Sequence, residues 1–262
     1  MTEVTLGIVP YLNALPLVEG LQGMSTVRLI RAVPSRLTDL LSRGEVDAAT
    51  LPIADAASDP TYRVIPGISI GSRGEVGSVK LFHREELEAV RTVRLDPASR
   101  TSVILLKILL EKRFGLRPAY RTGPAGEGSD DAYLLIGDDC LFADPGGYRA
   151  LDLGAAWTSW TGLPFVYAAW VARKELPGLS RVLSEARRRG LAVLDRIVLD
   201  AAESLGRDAE RIDSYLRRMM RYDLDGDALE AVDLFYHHAA DLGALPEGAA
   251  IRLAEADSPR GH

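Results

Sequence analysis

Four short blocks of this sequence combine residue types that bind small polar molecules. In Val9-Pro10-Tyr11-Leu12-Asn13-Ala14-Leu15-Pro16-Leu17, Asn13 offers a donor and an acceptor at a helix start. Plain capping of that helix is the competing assignment. In Ser99-Arg100-Thr101-Ser102, hydroxyls and open backbone amides stand at the positive end of a helix, a setting that favours an anion such as a carboxylate. A capped helix with solvated hydroxyls is the alternative. In Ile136-Gly137-Asp138-Asp139, Gly137 lets a ligand approach the backbone, and Asp138 either orients a polar group or caps the next helix. In Trp160-Thr161-Gly162-Leu163-Pro164-Phe165, an aromatic beside backbone groups suits a flat ring, or else forms a packed turn. Pro52 marks a further turn after a strand.

Other chemistries find little support. His83, His237, His238 and His262 lack metal-ligand spacing, so no metal is expected. The glycine-rich run Gly123–Gly128 lacks the Lys-Ser/Thr of a phosphate loop. Cys140 has no evident histidine partner and reads as core. No Gly-x-Ser-x-Gly elbow occurs. The net charge is −6, and the one basic run, Arg187-Arg188-Arg189, reads as cations near a helix C-terminus, so nucleic acid is not an expected partner. The longest uncharged apolar stretch, Leu163 to Ala172, is about half of the ~20 residues a membrane helix needs. The opening MTEVTLGIVPYLN has no basic segment leading into an apolar one, so neither export nor a membrane partner is expected, and a cytoplasmic location is.

The elements that must position these blocks alternate between strand and helix patterns, which predicts an α/β fold. Strands are expected at Thr5–Val9, Val27–Ala32, Val46–Leu51, Val64–Ile70, Ser78–Phe82, Val93–Leu95, Ala119–Thr122, Ala132–Ile136, Leu151–Leu153 and Pro164–Arg173. Helices are expected from Ala14 to Leu21, capped by Asn13, from Pro34 to Ser42, from Arg100 to Phe114, and after Leu153 through Trp160. From Leu176 to Leu242 the pattern is helical, broken at Gly190, at Gly206–Asp208 and at Asp223–Asp227. Ser78–Phe82 and Pro164–Arg173 are the expected crossings between two lobes: 1–82 with 174–262, and 83–173. Such a chain places its ligand in the cleft between lobes.

The run from Gly7 to Leu17 resembles the opening signature of the chorismate dehydratases of the futalosine route to menaquinone. The resemblance continues at Gly44-Glu45-Val46-Asp47, Leu51-Pro52-Ile53, Gly77-Ser78-Val79-Lys80-Leu81-Phe82, Ser99–Ser102, Leu135–Asp138 and Trp157–Phe165, in order over residues 5–170. It implies a two-lobed fold of the type II periplasmic-binding-protein kind. It implies dehydration of chorismate to 3-[(1-carboxyvinyl)oxy]benzoate without metal or organic cofactor, the substrate's own carboxylate having been proposed as base. By position, the catalytic asparagine and serine of that family fall on Asn13 and Ser78. Asn13 would bond the departing hydroxyl, and Ser78 would orient the leaving group or a carboxylate. Tyr11, Pro52, Ser99, Arg100, Thr101, Ser102, Gly137, Asp138, Thr161, Gly162 and Phe165 would contact substrate. A sibling family, dihydroxynaphthoate synthase, uses a second-lobe histidine, and no histidine lies between His83 and His237 here. The rival class is a non-catalytic binding protein for a small organic anion.

Overall fold

The computed structural model describes residues 3–96, 100–123 and 130–255. Strand β1 (Val4–Ile8) withdraws Leu6 and Ile8 fully from solvent. A 3-10 turn over Leu12–Ala14 runs into α1 (Leu15–Glu19), where Pro16 occupies a first-turn position that needs no amide. Strand β2 (Val27–Arg31) and helix α2 (Pro34–Ser42) follow, with Leu37, Leu40 and Leu41 on the buried face of α2. Strand β3 (Ala48–Pro52) is buried along its whole length, as a strand covered on both faces must be, and Pro52 ends it. Helix α3 (Ile53–Ala56) and strand β4 (Arg63–Ser72) complete the first stretch.

The second sheet is built from β5 (Val79–His83), β6 (Thr92–Leu95), β7 (Ala119–Thr122), β8 (Ala132–Ile136) and β9 (Arg149–Asp152). Its helices are α4 (Arg100–Ile108), which continues into a π-helical turn over Leu109–Arg113, α5 (Gly137–Leu141) and α6 (Leu153–Thr161). The chain then returns through β10 (Phe165–Ala172) to α7 (Leu179–Ala192), α8 (Leu194–Leu205) and α9 (Ala209–Ser214). A second π-helical turn (Tyr215–Met219), the short strand β11 (Met220–Arg221) and α10 (Gly226–Asp241) close it. Among the described residues the first sheet runs β11-β4-β10-β3-β1-β2 and the second β7-β6-β8-β5-β9. Strand β1 is parallel to β2 and β3, whereas β10 is antiparallel to β3 and β4.

Several sequence expectations shift. The two strands expected to cross between lobes each lie wholly in one sheet. Strand β5 is paired on both edges, by β8 and β9, and β10 on both edges, by β3 and β4. A strand whose ladders are both satisfied in one sheet cannot serve two. The crossings therefore fall in the segments just before these strands, 73–78 and 162–164, and not at 82/83 and 173/174. Leu153 opens α6 instead of closing a strand, because the Asp152 carboxylate accepts from the Ala155 amide at 2.9 Å and caps the helix. Asn13 caps nothing: it sits inside the 3-10 turn, and neither start there carries a side-chain cap.

Gly190 does not break its helix either. It lies within α7, whose break comes at Val193. Its role is close approach. A Cβ at Gly190 would lie 1.7 Å from the Pro16 carbonyl oxygen, and one at Gly20 would lie 1.8 Å from that of Ala186. Each helix thus presents a glycine to the other's backbone, and α7 locks the turn that carries Asn13. Backbone cannot retreat as a side-chain tip can. Gly190→Ala is expected to cost roughly 2–4 kcal/mol of stability, seen as a fall of several degrees in the midpoint of a thermal melt.

Candidate active site

A cavity of about 650 Å³, open mouth included, lies between the two sheets. From the first lobe, Val9, Tyr11, Asn13, Pro34, Pro52, Ile70, Tyr167 and Ala168 line it. From the second come Val76, Ser78, Val79, Ser102, Ile136 and Gly137, and Met220 adds the edge strand. Five helices begin at this cavity: the 3-10 turn after Tyr11, α2 at Pro34, α3 after Pro52, α4 with Ser102 in its first turn, and α5 at Gly137. Helix starts carry unpaired amides and the positive end of the backbone dipole. Among the described lining residues there is no Asp, Glu, Lys, Arg or His. The polar side chains of the described lining are therefore neutral, and the favourable potential for a negative charge comes from backbone.

The sharpest geometry joins Ser78 to a residue far along the chain. Ser78 Oγ lies 2.9 Å from the hydroxyl of Tyr215, and both residues are buried. Asn13 Oδ1 is buried without a partner, and the Asn13 side chain lies near enough to the Tyr215 phenol to oppose in part the effect of burial on it. The first π-helical residue of the C-terminal segment thus meets the start of β5. Burial holds the Tyr215 phenol above its ordinary range, so it stays protonated. Burial likewise raises the phenols of Tyr11 and Tyr167.

Other expected residues divide. Tyr11, Pro52, Ser102 and Gly137 line the cavity with Asn13 and Ser78. Ser99 lies outside the described residues. Thr101 Oγ1 accepts from the Ala54 amide at 3.1 Å, a tie between lobes. Arg100 donates to Asp55 at 3.0 Å and to the Ala244 carbonyl at 3.3 Å, and does not line the cavity. Its guanidinium is committed to a lobe contact, which corrects its assignment as a ligand contact. Thr161, Gly162 and Phe165 are also absent from the cavity wall. Thr161 bonds the Trp157 carbonyl, the Gly162 carbonyl accepts from Arg73, and Phe165 packs edge-on to Trp157 in the core. That block is a packed turn, because Gly162 at φ +75° ends α6 and turns the chain into β10.

Asp138 neither caps α5 nor lines the main cavity. Both its oxygens lie 3.3 Å from the Leu12 amide, across the lobes. Cys140 is core, its thiol pushed up to about 12 by burial. His83 bonds the Glu85 carbonyl, and His238 stacks on Trp160. Among the described residues no His/Cys/Asp/Glu group could hold a metal ion. No helix among them is long and apolar enough to cross a membrane.

Sequence reasoning missed Tyr215, Tyr167 and the apolar walls Ile70, Val76 and Met220. Tyr215 lies 137 residues from Ser78, in a helical stretch where a buried aromatic reads as core. No local motif marks it.

Comparison with known proteins bears on the whole chain. A family model described as menaquinone biosynthesis matches residues 4–241. The chorismate dehydratase of Thermus thermophilus is 33% identical over 249 residues, covering 86% of this chain and 91% of that one. The chorismate dehydratase of Campylobacter jejuni is 25% identical over 228 residues, covering 86% and 88%. Among solved structures, protein AF1704 of Archaeoglobus fulgidus superposes with a TM-score of 0.76 at 17% identity, covering 93% of this chain and 98% of that one. The periplasmic aliphatic sulphonate binding protein SsuA of Escherichia coli gives 0.70 at 18%, covering 100% and 95%. These likenesses fix the fold as that of periplasmic binding proteins.

The Asp138 latch carries a pH signature. Burial pushes its carboxyl up to about 6, helped by the charge of Asp139 and opposed by the Leu12 amide. The native state therefore holds a proton that the unfolded chain releases near pH 4. Stability falls as pH rises from about 4 to about 6 and then levels. Asp138→Asn keeps an acceptor for Leu12 and removes the charge. It is expected to gain about 1–2 kcal/mol on the wild type at pH 7, after discounting for solvent screening, and nothing at pH 4. Denaturant unfolding at the two pH values checks this.

Proposed function

We propose that the chain, which belongs to the menaquinone biosynthesis family, is a hydro-lyase that dehydrates chorismate to 3-[(1-carboxyvinyl)oxy]benzoate on the futalosine route. The observation that carries the reading is a cavity ringed by five helix starts, with Asn13 and Ser78 as neutral polar groups. That combination suits an organic dianion with a hydroxyl to be expelled. The match to chorismate dehydratases over most of the chain supports the choice of anion.

The reaction removes the C3 proton and the C4 hydroxyl of the ring, and water departs as the ring becomes aromatic. Aromatisation drives the step, so the protein's share is positioning and stabilisation of charge on the leaving oxygen. Asn13 and Ser78, which both line the cavity, meet that hydroxyl. The start of α4, with Ser102 on the cavity wall, receives carboxylate charge. A base must take the C3 proton. The neutral, phenol-bearing walls supply no side chain of fitting basicity, so the substrate's enolpyruvyl carboxylate takes the C3 proton and passes it to the departing C4 oxygen, which leaves as water, in keeping with the family resemblance. Pro34, Ile70 and Val76 keep bulk water from that carboxylate and raise its basicity. A cytoplasmic place of work belongs to the same reading.

Incubation with chorismate should yield the aromatic product, followed by absorbance and mass. Asn13→Ala and Ser78→Ala should each lower kcat by roughly 10²–10³-fold, the cost of losing one preorganised hydrogen-bonding group, with unchanged far-UV spectra. Tight binding of chorismate by calorimetry, with no product above the buffer control, would instead favour the non-catalytic binding protein.

A further inference from the structure

The segment that carries the chain from β4 into β5 reaches the cavity at Val76 and Ser78, before sheet pairing begins at Val79. Side chains of α6 and its cap take the amides of this segment. Thr158 Oγ1 accepts from the Gly74 amide at 2.9 Å. The Asp152 carboxylate accepts from the Gly77 amide at 2.8 Å through Oδ2, and from the Val76 amide at 3.1 and 3.2 Å through both oxygens. We propose that Asp152 is a positioning residue that clamps this crossing to the second lobe and so sets the place of Ser78 in the cavity. This deepens the dehydration reading and rests on it for its catalytic consequence.

A helix cap needs one side-chain oxygen and one amide of the first turn. Asp152 does more. Its Oδ1 caps α6 at the Ala155 amide, and its remaining capacity goes to amides 75 and 76 residues away in the chain. A carboxylate can accept all three, and its charge strengthens each bond. A separate contact sets the same helix start against the crossing. A Cβ at Gly154 would lie 2.7 Å from the Gly74 carbonyl oxygen and 2.8 Å from the hydroxyls of Ser72 and Tyr167. Backbone thus occupies the space that any larger residue would need.

The backbone around Ser78 is held on both sides. Its carbonyl accepts from the Gly137 amide at 2.8 Å, and the residue before it is gripped by Asp152. Thr158 also donates to the Leu163 carbonyl at 3.0 Å, in the other crossing, so α6 holds both passages between the lobes. Asp152 itself does not line the cavity and acts through Ser78. A small displacement of Ser78 costs rate, because its bond to the departing oxygen depends on placement.

Asp152→Ser separates the cap from the clamp. Serine is a good helix cap, and its single oxygen on a shorter side chain gives up Val76 and Gly77. The variant is expected to lower kcat on chorismate by roughly 10–100-fold and to move KM by less than about threefold. In a Ser78→Ala background the same change should cost at least about threefold less. Unchanged kcat, the outcome for a cap alone, or a loss fully additive with Ser78→Ala would overturn the proposal. Should Asp152→Ser not fold, Asp152→Asn, of the same shape without the charge, should lower kcat by at least about threefold, and an unaltered kcat would count against the clamp. Should the wild type turn over no chorismate, the dehydration reading fails and the clamp is still decided by amide hydrogen exchange in the free protein. The Val76 and Gly77 amides should exchange faster in the variant than in the wild type. Equal exchange at both would refute the assignment.

Discussion

An anion held without a cation must be held by backbone, and that constraint organises this molecule. Five helix starts reach one cavity whose described walls carry no cationic side chain. Each adds a share of positive potential, although the Leu12, Ala54 and Gly137 amides are already paired within the protein. Single starts are weak in water. They become effective when several converge in a site from which water is largely excluded, because the local dielectric falls. Convergence needs two sheets facing each other, since one sheet can aim only its own strand ends at a ligand. The short crossings at 73–78 and 162–164 supply that arrangement, and the remaining topology follows from them.

The C-terminal helices make the arrangement rigid. Helix α7 meets α1 at paired glycines, so the loop carrying Asn13 is fixed by backbone contact and not by adjustable side chains. Thr101 and Asp138 bridge the lobes through the Ala54 and Leu12 amides, and Arg100 adds an ion pair with Asp55. The π-helical turn at Tyr215–Met219 then sets a phenol against Ser78 of the cleft. Extra residues of this kind inside helices commonly mark functional positions.

Much of this was readable from the chain alone. Strand–helix alternation fixed the fold class. Nearly every strand was placed within a few residues, because short β-branched and apolar runs bounded by turn residues are written into the chain itself. The motif blocks pointed to Asn13, Ser78, Tyr11, Pro52, Ser102 and Gly137, all of which line the cavity. These residues follow strand ends, and strand ends are local features. The blocks misdirected at Arg100, Thr161, Gly162 and Phe165, which hold lobes or turns together. Sequence proximity to a good motif does not say which way a side chain points.

The sequence by itself determined the element types, the neutral polar inventory and the family resemblance, because these depend on residue identity and short-range spacing. Only the tertiary structure decided which lobe owned β5 and β10, since ladder pairing is a choice among distant partners. Only it decided that Gly190 is a contact and not a break, since close approach involves a second helix. Tyr215 is the clearest case. It meets Ser78 across 137 residues of chain, a separation over which no spacing rule operates and only packing brings two groups within hydrogen-bonding reach.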